Sequence, residues 1–237
     1  MLHTVWLVPA LPLAGFLLLV LFGRRLAEPK AGWLAATMCG SSFFVTVLVF
    51  LDMVSKTAEE RSHVVRVFSW IPVGSLQVDL AFLADQLSIT MALFITGIGT
   101  LIHLYAIGYM HGDPKFSKFF IYLNLFVFSM LMLVLGENLL VTFLGWEGVG
   151  TCSYFLISFW HTRDSAATAG KKAFVTNRVG DWGFMMAMFL AFGAVGTLSY
   201  GTINSAAHGG SISHVTATAI ALMLFVGACG KSAQLPL

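Results

Sequence analysis

Four ionisable residues, Glu147, Arg178, Asp181 and Lys231, stand within stretches that are otherwise almost wholly apolar. In residues 139–160, LLVTFLGWEGVGTCSYFLISFW, Glu147 is the single charge. A charge at the centre of a bilayer costs about 3 kcal/mol or more, so such residues face a protein interior or water and usually have a task. Arg178 and Asp181 are three apart, which puts both side chains on one helix face and predicts an ion pair. That pair has two readings: a lock between helices, or a group in which Asp181 also tunes or receives a proton. Glu147 has nothing basic three or four residues away on its own segment, so any charged partner must come from another helix. Burial favours the neutral form of a carboxyl or an amine, and pairing favours the charged form. A Glu–Lys pair whose separation can change would therefore switch proton affinity, which a proton relay requires. The competing reading of Glu147 is a protonated carboxyl with a purely structural role. At 1.5 Å per residue, Glu147 lies about 12 Å along its segment and Lys231 about 24 Å along its own, so counting alone does not bring them together.

The elements that must carry these groups follow from composition. Of the 237 residues, 58% are hydrophobic and 10% charged, where a soluble domain has about 25% charged. The mean hydropathy is +0.86. Such a chain cannot hide its apolar surface in one water-soluble core; it reads as an all-α polytopic membrane protein. A spanning helix needs about 20 mostly apolar residues, and seven stretches qualify: Thr4–Phe22, Trp33–Leu51, Phe82–Tyr109, Phe119–Leu135, Leu139–Trp160, Ala173–Val195 and Val215–Gln234. The first is not a cleavable signal peptide, because its basic pair, Arg24 and Arg25, follows the apolar run. Connections after the odd-numbered spans carry Arg24, Arg25, Lys30, Lys115, Lys118, Arg163, Lys171 and Lys172, against Lys56, Arg61 and Arg66 after the even-numbered ones. The positive-inside rule then puts the N-terminus outside a cell inner (plasma) membrane. Residues 64–80, VVRVFSWIPVGSLQVDL, are rich in β-branched and aromatic residues and broken at Pro72–Ser75. They read as a small β-hairpin on the outer face. Residues 196–213, full of Gly, Ser and Thr, read as an outer loop.

Other residues invite weaker readings. Gly145, Gly148 and Gly150 thin the fifth span beside Glu147 and allow close helix approach or water entry. Trp146 and Trp182 flank the acidic residues and read as packing. His103, His111 and His161 fall near inner helix ends and read as interfacial. Cys39, Cys152 and Cys229 are far apart in apolar runs and suit packing better than a disulfide frame or a metal site. Residues 227–232, GACGKS, end like a phosphate-binding loop, but the first glycine of that motif would fall at position 225, which is Phe. Without a Gly-x-Gly-x-x-Gly fingerprint or a cysteine cluster, neither a dinucleotide nor an iron–sulfur centre is expected here. A net charge of +2 carries no message about nucleic acid.

Residues 103–160, with HLYAIGYMHGDP and LGWEGVG, then KKAFVTNRVGDWGF (171–184) and GKSAQLPL (230–237), closely resemble the antiporter-like membrane subunits of respiratory complex I, the NADH–quinone oxidoreductase. Within that family the resemblance is to the largest such subunit, L in bacteria, over nearly the whole chain. It implies that Glu147 and Lys231 are the paired charges of a proton half-channel, with Arg178 and Asp181 as supporting charges. The family's helix is interrupted near this lysine, which agrees with Gln234-Leu235-Pro236. Family members run to more than twice this length, so the chain is expected to be an N-terminal portion, the first half of an inverted-repeat fold. Residues 1–118 would hold three spans and the hairpin, and 119–237 an incomplete first repeat. The function implied is proton translocation as a subunit of the oxidoreductase, with no redox centre or cofactor in this chain. NADH, FMN, iron–sulfur clusters and quinone would belong to partner subunits, and the partners would be other membrane-arm subunits, lipid and protons. Two rivals stay open: the large subunit of a multi-subunit sodium/proton antiporter, and a structural membrane scaffold.

Overall fold

The computed structural model describes residues 2–23, 25–26, 28–74 and 76–235. Arg24, Ser75 and Pro236, each used in the reading above, lie outside the described residues. Among those described, seven helices are long and apolar enough to cross a membrane. These are α1 (Leu7–Phe22), α2 (Lys30–Val54), α3 (Gln86–Tyr109), α4 (Phe116–Leu135), α5 (Leu139–Ile157), α6 (Asp164–Val195) and α8 (His214–Ser232), with a short α7 (Tyr200–His208) before the last. A two-stranded antiparallel hairpin, β1 (His63–Val73) and β2 (Leu76–Ala84), joins α2 to α3. The chain forms two compact units: Met1–Val65 with Phe82–Gly136, and Arg66–Ala81 with Glu137–Leu237.

The first unit packs α1 to α4. Pro12 lies inside α1 and has no N–H, which would leave the carbonyl four residues earlier without its helical donor. Ser42 of α2 repairs this, its hydroxyl donating to Val8 O at 2.6 Å. A backbone acceptor at membrane depth must be satisfied by protein, so this bond fixes α1 against α2. Asp85 caps α3 by accepting from Ser88 N at 2.8 Å, while the Ser88 hydroxyl accepts from Asp85 N at 2.9 Å.

The second unit is built on α5, α6 and α8. Val78 of β2, Leu139 of α5, Phe184, Ala187, Met188 and Ala191 of α6, and Ile220 of α8 form one buried apolar cluster. Asn138 begins α5: its carbonyl oxygen accepts from Val141 N at 3.0 Å and its amide donates to Asp79 O at 3.0 Å, tying the helix start to the hairpin. Arg66 and Asp79 pair across the hairpin at 2.8 Å. At the start of α7, Tyr200 donates to the Thr142 hydroxyl at 2.9 Å. Burial pushes the Tyr200 phenol above its ordinary value, and the charge of Glu137 adds to this, while the Thr142 bond opposes it.

Three boundaries differ from expectation. Residues 82–84 finish β2, and α3 starts after the Asp85 cap. The sixth span was expected to start at Ala173, yet α6 begins at Asp164 and has 32 residues. The nine residues before Ala173 are polar but contain no proline, and Asp164 in the first turn suits the helix dipole. The outer loop contains a helix, α7, delimited by left-handed turns at Gly196 and Gly210, each with φ of 73°.

Where α6 crosses α8 at Gly180 and Gly230 there is no room for a side chain. A Cβ on Gly180 would lie 2.9 Å from Gly227 O and 3.1 Å from Gly230 Cα, and one on Gly230 only 2.8 Å from Gly180 Cα. The glycines of GACGKS therefore serve backbone-to-backbone packing. Gly180→Ala in the full-length protein is expected to cost about 1–3 kcal/mol, seen as a lower thermal midpoint in detergent. Gly193→Ala, with nothing within 4 Å of its Cβ, should be neutral or stabilising by up to about 1 kcal/mol. Equal midpoints for the two variants would refute the close contact.

Candidate functional site

The four ionisable residues singled out in the sequence converge in the second unit, on α5, α6 and α8. Glu147 finds its basic partner on the neighbouring helix: the Arg178 guanidinium forms an ion pair with its carboxylate. Arg178 also reaches Asp181 one turn further along α6, with Nε 3.5 Å from Oδ2. One guanidinium thus serves two carboxylates, a use suited to its fork of donors. Asp181 is the most enclosed of the group, at 3% exposed. Its other oxygen accepts a hydrogen bond from the Trp146 indole N–H at 2.8 Å.

Lys231 does not pair directly with Glu147. Its ammonium donates to the Trp146 carbonyl at 2.9 Å and lies 5.5 Å from the centre of the Trp146 ring. Trp146 therefore binds the lysine through its backbone oxygen and π-face and the aspartate through its N–H. A cation over an indole face is attracted by the ring quadrupole. Gly150, one turn on from Trp146, makes the approach possible, since a Cβ there would lie 3.1 Å from Lys231 Nζ and 3.7 Å from the Asn177 amide nitrogen. Lys231 lies in the last turn of α8, where helix C-terminal carbonyls favour a cation. The helix stops one residue later, and Ala233 takes the left-handed conformation with φ of 50°. The stop thus precedes Gln234 and Leu235.

Trp146 was expected to be packing and is both packing and polar contact, its ring 5.3 Å from that of Phe184. Trp182 points away, 55% exposed on this chain. Asn177 beside Lys231 was not singled out in the sequence. The signal that finds Trp146 is that an N–H at membrane depth must meet an acceptor. The interfacial reading of His103 is overturned: its side chain is 1% exposed inside the first unit, because α3 turns that face toward its neighbours. His111 and His161 are exposed, and His111 pairs with Glu28. The three cysteines are buried and form no disulfide with one another. Among the described residues, no three His, Cys, Asp or Glu side chains gather as a metal site would need.

Ionisable side chains shared among three packed spans, with Asp181 buried and the others part-exposed, point to a class, the antiporter-like membrane subunit. Residues 70–120 match the family described as NADH-ubiquinone oxidoreductase (complex I), chain 5 N-terminus, and residues 136–237 match NADH:quinone oxidoreductase/Mrp antiporter, TM. The chain belongs to this family. Within it, the similarity is to subunit L. NADH-quinone oxidoreductase subunit L of Mycobacterium tuberculosis is 48% identical over 99% of this chain and 37% of its own length, and that of Escherichia coli is 40% identical over 96% of this chain and 37% of its own length. The chain thus spans little more than a third of the curated relatives it matches. Among solved structures, a chain of the Mrp complex from Dietzia sp. DQ12-45-1b superposes with a TM-score of 0.81 at 23% identity, over 98% of this chain and 24% of that one. A chain of the archaeal membrane-bound sulfane sulfur reductase also gives 0.81, at 16% identity, over 96% of this chain and 44% of that one. At these identities the likeness is one of fold.

The Trp146–Asp181 bond generates a test. Trp146→Phe keeps a ring for Lys231 but leaves the enclosed carboxylate without its indole donor. In the full-length protein the loss should be about 1.5–3 kcal/mol, the value of a hydrogen bond to a charged group. Thermal denaturation in detergent reads it, and an unchanged midpoint would show the bond to be idle.

Proposed function

We propose that this chain forms the N-terminal portion of a proton-translocating membrane subunit of an NADH–quinone oxidoreductase, with residues 119–237 belonging to its first antiporter-like repeat. The observation that carries the reading is the gathering of Glu147, Arg178, Asp181 and Lys231 around Trp146 at membrane depth. In this reading the chain does no redox chemistry; NADH, FMN, iron–sulfur clusters and quinone are handled by partner subunits. Energy from them reaches this site as a change in charge or hydration along the membrane arm. Excess Lys and Arg in the connections after the odd-numbered spans supports an outer N-terminus in the cell inner membrane.

The relay proceeds through the chain's own groups. Lys231 carries a proton as an ammonium held on the Trp146 carbonyl. Leaving that carbonyl brings its proton to water or to Glu147. Arg178 sets which carboxylate accepts: while it pairs with Glu147 a cation stands beside that carboxylate, and a swing toward Asp181 leaves Glu147 open to the proton. Asp181 stays oriented by the indole N–H and serves as the arginine's alternative partner. A single buried ion pair would be static; one cation between two carboxylates has two arrangements, which a switching step needs. The same parts would serve a sodium/proton antiporter, and the relatives named as subunit L favour the oxidoreductase.

Glu147→Gln in the complete complex tests the reading. Assembly on native gels should be retained, while protons moved per NADH oxidised in vesicles should fall several-fold. Unchanged stoichiometry in an assembled mutant would leave the charges with a scaffold role. Failure of the wild-type protein to co-purify with NADH dehydrogenase activity would point to the antiporter.

A further inference from the structure

The relay leaves unused a second buried polar group, in the first unit and on different helices. His103 of α3 is 1% exposed and Asn124 of α4 is 0% exposed. His103 Nδ1 lies 2.7 Å from Gly99 O on the preceding turn. A carbonyl only accepts, so Nδ1 carries the hydrogen and a neutral ring presents Nε2 as a bare acceptor. That Nε2 atom, and both ends of the Asn124 carboxamide, are buried without a hydrogen-bond partner in the protein. Each such atom left unsatisfied costs about 1–3 kcal/mol, and native interiors meet that need with buried water when protein groups do not.

The two residues share a level of the bundle. A Cβ on Gly99 would lie 3.6 Å from Val127 Cγ2. Because α3 and α4 run antiparallel, four residues on from Gly99 and three back from Val127 reach the same depth, at His103 and Asn124. The Phe120 ring, one turn from Asn124, lies 6.3 Å from the imidazole. The α2 residues buried at this part of the unit are small, Ala35, Ala36 and Cys39. On α1, Gly15 faces Asn124, whose Oδ1 would be 3.1 Å from a Cβ there.

We propose that the first unit contains a water-binding site in which His103 Nε2 and the Asn124 carboxamide share bridging water, with His103 neutral and Nδ1-protonated. Charge argues for water over an ion. Among the described residues of the four helices, α1 and α3 carry no Asp, Glu, Lys or Arg, α2 carries Lys30 and Asp52 near its ends, and α4 carries Lys118 in its first turn. No carboxylate stands at this depth to balance an imidazolium, and no cluster of oxygens stands there to hold a cation. Water, which donates to Nε2 and both donates to and accepts from the amide, matches the atoms available.

The test is a cryo-EM map of the intact complex at a resolution that shows ordered water. A peak within hydrogen-bond distance of both His103 Nε2 and the Asn124 carboxamide is expected. A dry site in a well-ordered map, or a direct Asn124-to-His103 hydrogen bond, would overturn the proposal. In Asn124→Leu the peak should be lost while the density around Glu147, Arg178 and Lys231 is unchanged; a peak retained on His103 would refute the shared site. The wild-type map decides the matter if that variant fails to assemble.

Discussion

Hydrocarbon offers no hydrogen bonds, so polar groups in these spans must be answered by other parts of the protein or by enclosed water. That constraint organises the molecule from its backbone upward. It explains why Ser42 serves the carbonyl that Pro12 leaves open, and why Asn138 spends one end of its side chain on the start of α5 and the other on the hairpin. It also explains why Arg178 lies between two carboxylates. The charged cluster is the costliest instance of the same demand: each ion is acceptable only because the others stand against it. Remove the guanidinium and two acidic groups would face each other at membrane depth.

Within that frame Trp146 is the junction. Its carbonyl and π-face hold Lys231, and its N–H holds Asp181. A tryptophan is ordinarily valued in a membrane for bulk, and its ring does pack on Phe184. Here its polar edge ties a cation on α8 to an anion on α6 through one residue of α5. The glycines around it divide the labour: Gly150 makes room for the ammonium, and Gly180 with Gly230 lets two backbones touch.

Much of this was legible in the residues. Seven spans, the hairpin and the Arg178–Asp181 pair follow from hydropathy, period-two patterning and helical spacing. The extended start of α6 was not legible, because hydropathy marks where a helix enters lipid rather than where hydrogen bonding begins. Nor was α7, whose composition resembles a loop and whose ends are set by two left-handed glycines. Helix rise could not place Lys231 near Glu147, since depth along two helices says nothing about their rotation or tilt. Interfacial spacing misled for His103, because position near a helix end does not tell which face points inward. The resemblance to complex I subunits implied a Glu–Lys pair, whereas the structure interposes Arg178 on one side and the Trp146 carbonyl on the other.

Backbone contact between α6 and α8 carries a mechanical corollary. Rods that touch backbone to backbone at Gly180 and Gly230 cannot slide there without driving a carbonyl into a Cα atom. In the proposed relay, motion is therefore left to torsion of long side chains, chiefly those of the arginine and the lysine, beside a fixed crossing of glycines.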